Sequence, residues 1–236
     1  MKIALIGHGK MGKLIEEKAL SKGVEITAIA NSKSPISNPI LKNSIAQADV
    51  CIDFSLPSCA IENIKLLTAM KKNIVIGTTG WTDKIEEVRP LIEKAKIGFI
   101  YSPNFSLGVA LFLNIVEEAA SLILPFEEYD VSGFEIHHRK KIDTPSGTAK
   151  ALIDRIDSNR APACPKTIFS SMRVGDVPGT HTVLFDSAAD TITLTHTARN
   201  REGFASGALT AAEWIQGKQG IFTIKDLLSD RRKQRV

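Results

Sequence analysis

The densest group of chemically capable side chains lies at residues 137–141, where two histidines precede three cations in the sequence HHRKK. Histidine ionises near neutral pH and can donate a proton in a reaction, while lysine and arginine bind anions. In an extended strand alternate residues share a face, so His137, Arg139 and Lys141 would point one way and His138 the other. A solvated basic loop is the alternative interpretation of the same run.

The segment that follows has the form of a helix start. Residues 143–148 read DTPSGT, and Ser146 is predicted to cap a helix over residues 149–156. Free amides of Gly147 and Thr148 at that helix start would attract an anion. Imidazole, ammonium and helix N-terminus together predict a site for a small polyanion such as a dicarboxylate. No third ligand lies at a spacing that fits a metal ion, so no metal site is predicted.

A glycine-rich loop lies near the start of the sequence. Residues 7–12, GHGKMG, follow a short apolar run and precede a segment with helical spacing. Glycines permit a tight turn and a close backbone approach, and the N-terminus of the helix attracts a pyrophosphate group. The pattern predicts a dinucleotide site, with a plain structural turn as the alternative.

The end of the second predicted strand bears on which dinucleotide binds. Folds that bind NAD usually place a carboxylate there, where it bonds the ribose 2′-hydroxyl. Residues 30–33 read ANSK and contain no carboxylate, whereas Ser32 and Lys33 could hold a 2′-phosphate. The sequence therefore predicts that NADPH is used at least as well as NADH. In the alternative interpretation, Lys33 is a solvated loop residue.

Two further loops follow predicted strands, GTTG at residues 77–80 and SPNF at residues 102–105. The carboxyl ends of parallel strands meet at one edge of a sheet, where ligands bind. Each loop alone is as consistent with a turn as with a ligand contact. Together with the glycine-rich loop they favour a cofactor cleft at this edge.

The elements that must position these residues begin with an alternating pattern. Short apolar runs separated by helical spacing predict strands at residues 3–6, 24–30, 50–54, 74–76 and 97–101. This alternation predicts an α/β fold with a Rossmann-type, doubly wound parallel sheet. Residues 31–45 are the least regular and are predicted to form a short connection, and Thr82 is predicted to cap the helix after the fourth strand.

The pattern changes after about residue 103. A long apolar helix over 107–122 leads into an extended run over 129–138, and strand-like segments follow at 181–185 and 191–197. Strands clustered without helices between them predict a smaller α+β domain with a mixed sheet. We therefore expect a dinucleotide-binding domain of residues 1–103 and 208–236, and a substrate-binding and oligomerisation domain of residues 104–207.

Composition limits the classes of function. The chain has 236 residues, 43% hydrophobic and 24% charged, which is the profile of a globular protein. Its net charge of +4 matches the four basic residues of a solvated tail, Arg231, Arg232, Lys233 and Arg235. The neutral body predicts no nucleic-acid partner. Apolar stretches too short to span a membrane, and 3 cysteines without paired spacing, favour a cytoplasmic protein.

The motifs resemble those of the 4-hydroxy-tetrahydrodipicolinate (dihydrodipicolinate) reductase family of lysine and diaminopimelate biosynthesis. The matching segments are GHGKMG at 7–12, DFS at 53–55, GTTG at 77–80, PNFSLGV at 103–109, EIHHRKKIDTPSGTA at 135–149 and THTARNREGFASGAL at 195–209. The resemblance implies an oxidoreductase that uses NADPH or NADH to reduce a small dianionic cyclic imine. It also implies inhibition by pyridine-2,6-dicarboxylate and a homotetramer formed through the sheet of the second domain.

The resemblance further implies roles for individual residues. His137 corresponds to the family's proton donor and Lys141 to its catalytic lysine. Substrate contacts correspond to His138, Gly147, Thr148 and Arg201, although the neighbouring Arg199 also fits the last of these roles. Cofactor contacts are expected from the three loops, at Gly7, Gly9, Lys10, Met11, Gly77, Thr78, Thr79, Ser102, Pro103, Asn104 and Phe105.

The chain departs from the family pattern around the adenosine half of the cofactor. The glycine loop is shorter than the GxGGRMG form, His8 stands where small residues are usual, Lys10 replaces an arginine, and residues 33–45 are abbreviated. These changes bear on cofactor preference and not on the reaction. Two other interpretations are a related two-domain dehydrogenase, which would need a different substrate loop, and a non-catalytic NADP sensor, which would not need His137 and Lys141.

Overall fold

Buried apolar runs form the sheet of the first of two structural units. The computed structural model describes residues 1–161 and 164–233 and divides the chain into one unit of residues 1–106 with 202–236 and another of residues 107–201. The first unit contains strands β1 Lys2–Ile6, β2 Glu25–Ala30, β3 Val50–Asp53, β4 Asn73–Ile76, β5 Gly98–Tyr101 and β10 Gly220–Thr223. Its helices are α1 Lys10–Ser21, α2 Pro39–Ala46, α3 Pro57–Ala69, α4 Ile85–Ala95, α7 Glu202–Trp214 and α8 Ile224–Lys233.

The six strands of this unit are parallel and lie in the order β10-β5-β4-β3-β1-β2. The predicted Rossmann-type sheet is confirmed. Because β1 lies between β2 and β3, the strand order reverses there and leaves a crevice at the carboxyl ends of the strands. The apolar side chains of β1 and β3 are almost fully buried. Burial of each large apolar side chain contributes about 1.5–3 kcal/mol to the stability of the fold.

Two local predictions in this unit were wrong. Residues 31–45 are not merely a connection, because α2 begins within them: Asn38 caps the helix by accepting from the Ile40 amide at 3.0 Å, and Pro39 occupies the first turn. Thr82 does not cap α4. It lies in a 3-10 turn over Thr82–Lys84, and α4 starts only at Ile85, without a side-chain cap.

The second unit is a mixed four-stranded sheet with two helices. Its elements are α5 Leu107–Ile123, β6 Asp130–His137, α6 Gly147–Asp157, β7 Ile168–Arg173, β8 Thr180–Asp186 and β9 Thr191–Thr197. The strands lie in the order β7-β6-β8-β9, with β7 parallel to β6 and the other pairs antiparallel. The predicted α+β region with a mixed sheet is confirmed, although the sequence did not predict β7 or, in the first unit, β10.

One face of the second sheet is packed against the two helices of its unit. Val131, Val183 and Phe185 from the strands meet Val116 of α5 and Leu152 of α6 in a single apolar cluster. Alternation along β6 is clear, because its burial changes from residue to residue. The same alternation continues along β6 beyond this apolar cluster, to the end of the strand that carries Glu135 and His137.

The boundaries between the units differ slightly from those expected at 103/104 and 207/208. Helices α5 and α7 begin at Leu107 and Glu202, and each helix lies entirely within one unit. Of the basic tail, Arg231 to Lys233 are exposed in α8, whereas Gln234 and Arg235 lie outside the described residues. Within residues 1–161 and 164–233, no helix is long and apolar enough to cross a membrane.

Candidate active site

The second half of β6 places a carboxylate and an imidazole on the covered face of its sheet. Glu135 is fully buried, and His137 is 6% exposed. They continue the series begun by Val131 and Gly133, since residues two apart in a strand point to the same side. The covered face is therefore apolar at one end and charged at the other.

The neighbouring strands complete this charged end through their register with β6. Glu135 is paired with Ser171 of β7 on one side and with His181 of β8 on the other. His137 is paired with Arg173 of β7. Cross-strand partners on one face are direct neighbours, so the pairing alone brings the five side chains together.

The two oxygens of the Glu135 carboxylate differ, because Oε1 is hydrogen-bonded and Oε2 only lies near two imidazoles. Oε1 accepts from the Ser146 amide at 3.0 Å, the Ser171 hydroxyl at 2.8 Å and the Arg173 guanidinium at 3.2 Å. Oε2 faces Nδ1 of His137 at 3.5 Å and Nε2 of His181 at 3.4 Å. Burial raises the pKa of Glu135, but the hydrogen bonds from Ser146, Ser171 and Arg173 outweigh it and lower the pKa to about 2.

The two imidazoles lie edge to face, with ring centres 5.0 Å apart, and both have lowered pKa values. For His137 burial lowers the pKa, Glu135 opposes that effect, and the cations Lys141 and Arg173 add to it. For His181 burial and the neighbouring His137 lower the pKa to about 4. At neutral pH both rings are therefore predominantly uncharged.

The basic run leaves the strand after His137, so the shared face expected of an extended segment ends there. The Lys141 amide bonds the His138 carbonyl at 3.1 Å in a turn, and the His138 amide bonds the Val177 carbonyl at 2.8 Å. The Lys141 ammonium pairs with the Asp143 carboxylate at 2.8 and 3.1 Å.

Arg173 connects this turn to the sheet. Its Nη2 atom donates to the Asp143 carbonyl at 2.7 Å and the Thr144 hydroxyl at 2.8 Å, in addition to Glu135. One guanidinium therefore fixes the loop that carries Lys141 relative to β6. An arginine suits this task because its planar group presents several donors in fixed directions.

Helix α6 begins at Gly147, two residues before the predicted start, with the predicted cap in place. Ser146 is its cap, and its hydroxyl accepts from the Ala149 amide at 3.1 Å. The Gly147 amide and, more strongly, the Lys141 ammonium lower the pKa of Asp143. A Cβ atom at Gly147 would meet nothing within 4 Å, so the space beside this helix start is open. Gly147 and Thr148 are thus placed where an anion can reach them.

The predicted substrate residues are not all brought together. His137, Lys141, Gly147 and Thr148 are connected through Glu135, Arg173 and Ser146 as described above. His138 lies just beyond the strand, half-buried. Arg201 is exposed at the end of its unit, and within the described ranges no hydrogen bond or ion pair joins it to His137 or Lys141.

Glu135, His137 and His181 bring ligand-type atoms within 4.8 Å of one another, a spacing that a metal ion can use. The Arg173 guanidinium on the same carboxylate is a fixed positive charge and disfavours a second cation there. We interpret the three side chains as a hydrogen-bonding cluster, and the sequence prediction of no metal stays a prediction.

The expected cofactor residues lie along the carboxyl edge of the first unit's sheet. Backbone bonds continue the strand register into the loops: the Gly7 amide bonds Ala30 at 2.9 Å, the Gly77 amide bonds Asp53 at 2.9 Å, and the Ser102 amide bonds Ile76 at 3.2 Å. The three loops of the sequence analysis therefore form one rim. Lys10 and Met11 open α1 on this rim, and Thr79 and Pro103 are exposed.

The glycine loop fits a dinucleotide pyrophosphate. Gly7 has a φ of +93°, and a Cβ atom at Gly12 would lie 2.1 Å from the Gly7 carbonyl oxygen, so α1 packs directly on the turn. By contrast, a Cβ atom at Gly9 would meet nothing within 4 Å. The space in front of Gly9 and the free amides of the first turn of α1 provide a cradle for phosphate.

A buried carboxylate supports the other side of the rim. Asp53 accepts from the Thr78 hydroxyl at 3.0 Å, the Asn63 amide group at 2.9 Å and the Ser55 amide at 2.8 Å. Burial raises its pKa although these bonds oppose the shift. The Thr78 hydroxyl is thus used within the protein, so any cofactor contact of Thr78 would come from its other atoms.

The third loop is held by its own side chains. The Ser102 hydroxyl donates to the Asn104 carbonyl at 2.7 Å, and the Asn104 side chain accepts from the Ser106 amide at 2.8 Å. Phe105 is buried and packs on Phe54, with ring centres 6.1 Å apart. The same Phe54 ring fills the place of a side chain at Gly77. Phe105 and Phe54 therefore form an apolar wall of the rim.

Sequence reasoning missed Glu135, Arg173 and His181. Glu135 had a detectable signal, since a carboxylate stands on the apolar side of an alternating strand, two residues before His137. His181 likewise interrupts the apolar side of β8. Arg173 could not be found in this way because the strand that carries it was not predicted.

Two family models match the chain: "Dihydrodipicolinate reductase, N-terminus" over residues 1–105 and "Dihydrodipicolinate reductase, C-terminus" over residues 108–228. A 4-hydroxy-tetrahydrodipicolinate reductase of Christiangramia forsetii is 40% identical over 98% of both chains. One of Archaeoglobus fulgidus is 36% identical over 97% of this chain and 100% of its own.

Among solved structures, a dipicolinate-bound dihydrodipicolinate reductase from Paenisporosarcina sp. TG-14 is similar, with a TM-score of 0.80 at 24% identity over 96% of this chain and 98% of its own. An amine dehydrogenase from Mycobacterium smegmatis has a TM-score of 0.55 at 10% identity, over 94% of each chain. At these identities, the two likenesses show the fold.

Proposed function

The chain belongs to the dihydrodipicolinate reductase family, and from this premise we propose how its residues carry out the reaction. It is an NAD(P)H-dependent oxidoreductase that reduces the cyclic imine of diaminopimelate and lysine biosynthesis. The observation that carries the site assignment is the Glu135 carboxylate, which touches the His137 ring with one oxygen and the helix start at Ser146 with the other.

His137 is the proton donor in this proposal. When bound, the nicotinamide cofactor supplies a hydride to the conjugated ring of the imine, and the electron pair displaced in the ring must then take up a proton. An imidazole with a pKa near neutrality suits that step. Burial lowers the pKa of His137, and the cations Lys141 and Arg173 add to that effect; a bound dianion would offset the cations, raise the pKa and favour the protonated ring.

Lys141 and the start of α6 hold the two negative charges of the substrate. The Lys141–Asp143 pair is partly exposed and therefore contributes little stability, so a substrate carboxylate can replace Asp143 as the partner of the ammonium. The amides of Gly147 and Thr148 supply the second anion contact. His138, and Arg201 or Arg199, complete the proposed set of substrate residues.

The reaction itself is tested by following oxidation of NADPH and NADH with the imine generated in situ by the synthase that precedes it. We expect turnover with both cofactors and competitive inhibition by pyridine-2,6-dicarboxylate. Cofactor binding without any turnover would instead support the non-catalytic sensor.

The cofactor preference is proposed to favour NADPH, which Lys33 supports from the end of β2. Lys33 is exposed, and the turn around it is fixed by the Asn31 side chain, which accepts from the Lys33 amide at 2.9 Å and the Ser34 amide at 3.1 Å. No carboxylate lies in residues 30–34 to bond a ribose hydroxyl. The ammonium is therefore available to a 2′-phosphate.

Replacing Lys33 with alanine is expected to raise the KM for NADPH about fivefold and to leave that for NADH within twofold. The factor corresponds to about 1 kcal/mol, the upper range for an exposed ion pair. Steady-state kinetics with each cofactor measures it, and Lys42→Ala, an exposed lysine of α2, is the matched control. A preference for NADH that is unchanged in Lys33→Ala would contradict the proposal.

A homotetramer is also part of the proposal, with the open face of the second sheet as its interface. This face carries exposed apolar side chains, Ile168 and Met172, on β7, and paired threonines on β8 and β9, Thr180–Thr197 and Thr182–Thr195. The threonine hydroxyls bond each other across the strands. The face therefore presents few unsatisfied polar groups to a second copy.

Met172→Asp is expected to weaken this assembly by at least about tenfold, because a charge would be buried at the contact. Light scattering over a dilution series measures the change. Ile40→Asp is the matched control, since Ile40 is equally apolar and more exposed but lies on α2 of the other unit. Identical dissociation of the two variants would exclude this face as the interface.

A cytoplasmic location completes the proposal. Cys51, Cys59 and Cys164 are all free thiols, which fits a reducing compartment. The partner of the enzyme is then its small dianionic substrate, with neither nucleic acid nor membrane involved.

A further inference from the structure

The Glu135 carboxylate is the group through which the separate parts of the substrate site are joined. Its contacts come from β7, from β8 and from the cap of α6, while Glu135 itself stands on β6 beside His137. A fully buried carboxylate with a pKa of about 2 is a permanent negative charge at any physiological pH. A buried charge with this many contacts is able to influence the protonation of the neighbouring rings.

The two carboxylate oxygens have different surroundings. Oε1 is held by three donors, so the carboxylate cannot rotate without breaking them. Oε2 is left to face only the two imidazoles. The 3.5 Å contact with Nδ1 of His137 is long for a hydrogen bond, as is common in catalytic sites without substrate, where such contacts shorten on binding.

We propose that Glu135 is the positioning residue for His137, which keeps the hydrogen of the neutral ring on Nδ1 and leaves Nε2 to receive and deliver the catalytic proton. The inference rests on the assignment of His137 as the proton donor. Gly179 lies beside Nε2 of His137, and a Cβ atom at position 179 would be only 3.0 Å from it. Because residue 179 is a glycine, no side chain crowds Nε2 from this direction.

His181 has a supporting role on the same oxygen. Its Nε2 atom lies 3.4 Å from Oε2 and 3.1 Å from the Ser146 hydroxyl, and its ring is neutral near pH 7. It can donate a hydrogen bond without adding charge. The negative charge of Glu135 acts on both rings, but burial keeps His181 neutral, and the proposed reaction requires protonation of His137 alone.

The charges facing His137 fix the sign of the expected change. Glu135 on its own strand and Asp143 in the following loop raise its pKa, whereas Lys141 in that loop and Arg173 on β7 lower it. His181 on β8 faces it as a neutral ring. Removing the charge of Glu135 leaves the two cations opposed only by Asp143, so the pKa of His137 must fall.

The test compares Glu135→Gln with the full-length wild type. The amide keeps the size of the side chain and one acceptor oxygen, but no longer offers a negative charge. We expect kcat to fall by about 10²-fold or more, with the affinity for NADPH unchanged. The pH above which kcat declines should move to lower values, because the acid form of His137 is lost earlier.

Nitrogen NMR of the histidine rings separates positioning from a merely structural effect, with His137→Gln used to assign the signal. In Glu135→Gln we expect a lowered pKa for His137 and a shift of its hydrogen to Nε2. Ser171→Ala is the matched control, since Ser171 bonds the far oxygen Oε1, and there the hydrogen should stay on Nδ1. Lost activity with an unchanged His137 pKa and tautomer would overturn the proposal.

One measurement needs no variant at Glu135 and holds even if Glu135→Gln does not fold. In the wild type above the pKa of His137, the ring hydrogen must be on Nδ1, and finding it on Nε2 would overturn the inference. Full activity in His137→Gln would instead refute the proposed donor while leaving the tautomer result standing. The two failures are therefore distinguishable.

Discussion

Replacing His137 with glutamine is expected to lower kcat by about 10²- to 10⁴-fold, the usual contribution of a positioned proton donor. The amide side chain can still hydrogen bond, but it cannot give up a proton. Binding of pyridine-2,6-dicarboxylate should weaken by far less than kcat falls, because in the proposed site Lys141 and the start of α6 supply most of the anion contacts.

The same variant tests how the proton is loaded. The pKa of His137 is lowered in the free protein, so near neutral pH the ring is mostly neutral. A dianion beside it favours the charged ring and raises the pKa, so binding must take up protons from solution. Titration calorimetry of pyridine-2,6-dicarboxylate in buffers of different ionisation enthalpy measures that uptake, and we expect it to vanish in His137→Gln.

His196→Gln is the matched control for both measurements. His196 is an imidazole of the same sheet, on β9, and it stacks on Phe112 with ring centres 5.7 Å apart. We expect proton uptake to persist in this variant. Proton uptake that survives in His137→Gln would show that another group takes up the proton. No proton uptake in the wild type would show that no group is protonated on binding.

The second large effect is expected from two alanine substitutions only three residues apart. Gly12→Ala forces a methyl group to within 2.1 Å of the Gly7 carbonyl oxygen unless α1 moves. Overpacking of this kind costs about 1–3 kcal/mol of stability. In a chain of this length that lowers Tm by about 2–4 °C for each kcal/mol, and the displaced helix start should bind NADPH at least about tenfold more weakly.

Gly9→Ala should separate these two effects. Its methyl group meets no protein atom, and the φ of −79° at this position is open to alanine. We therefore expect an unchanged Tm but a similar loss of affinity for NADPH, because the methyl group would occupy the place that we propose for the pyrophosphate. Thermal unfolding without cofactor and fluorescence titration with NADPH measure the pair. Normal binding by Gly9→Ala would refute the phosphate cradle.

The parts of the fold that local sequence determines were predictable. Strands such as β1 and β3 are continuous apolar runs because both faces are buried, and the Ser146 cap is a short-range signal. Helix α2, which was not predicted, is short, and Ile45 is the one fully buried side chain within it, so its apolar periodicity is weak. Asn38 and Pro39 are nevertheless typical of a helix start. Strands β7 and β10 depend on pairing with distant β6 and β5, which no local pattern reveals.

The candidate site likewise contains residues that local sequence predicts and residues that only strand pairing brings in. His137, Lys141 and the turn at 146–148 stand within one short segment whose residue types are informative by themselves. Arg173 and His181 become part of the site only through strand register with β6, over separations of 36 or more residues from His137. Residue chemistry pointed to the groups that we propose to act on substrate, whereas the groups that hold them required the three-dimensional structure.

The order of elements along the chain has a consequence for synthesis on the ribosome. Residues 107–201 interrupt the first unit, whose helix α7 packs against α1 and whose strand β10 covers the edge of β5. At about 5–20 residues per second, translation of this insertion takes roughly 5–20 s. During that time, and until β10 has been made, the nascent sheet has β5 as an unprotected edge that is open to pairing with other chains. Aggregation during expression should therefore depend on how quickly the last residues are made.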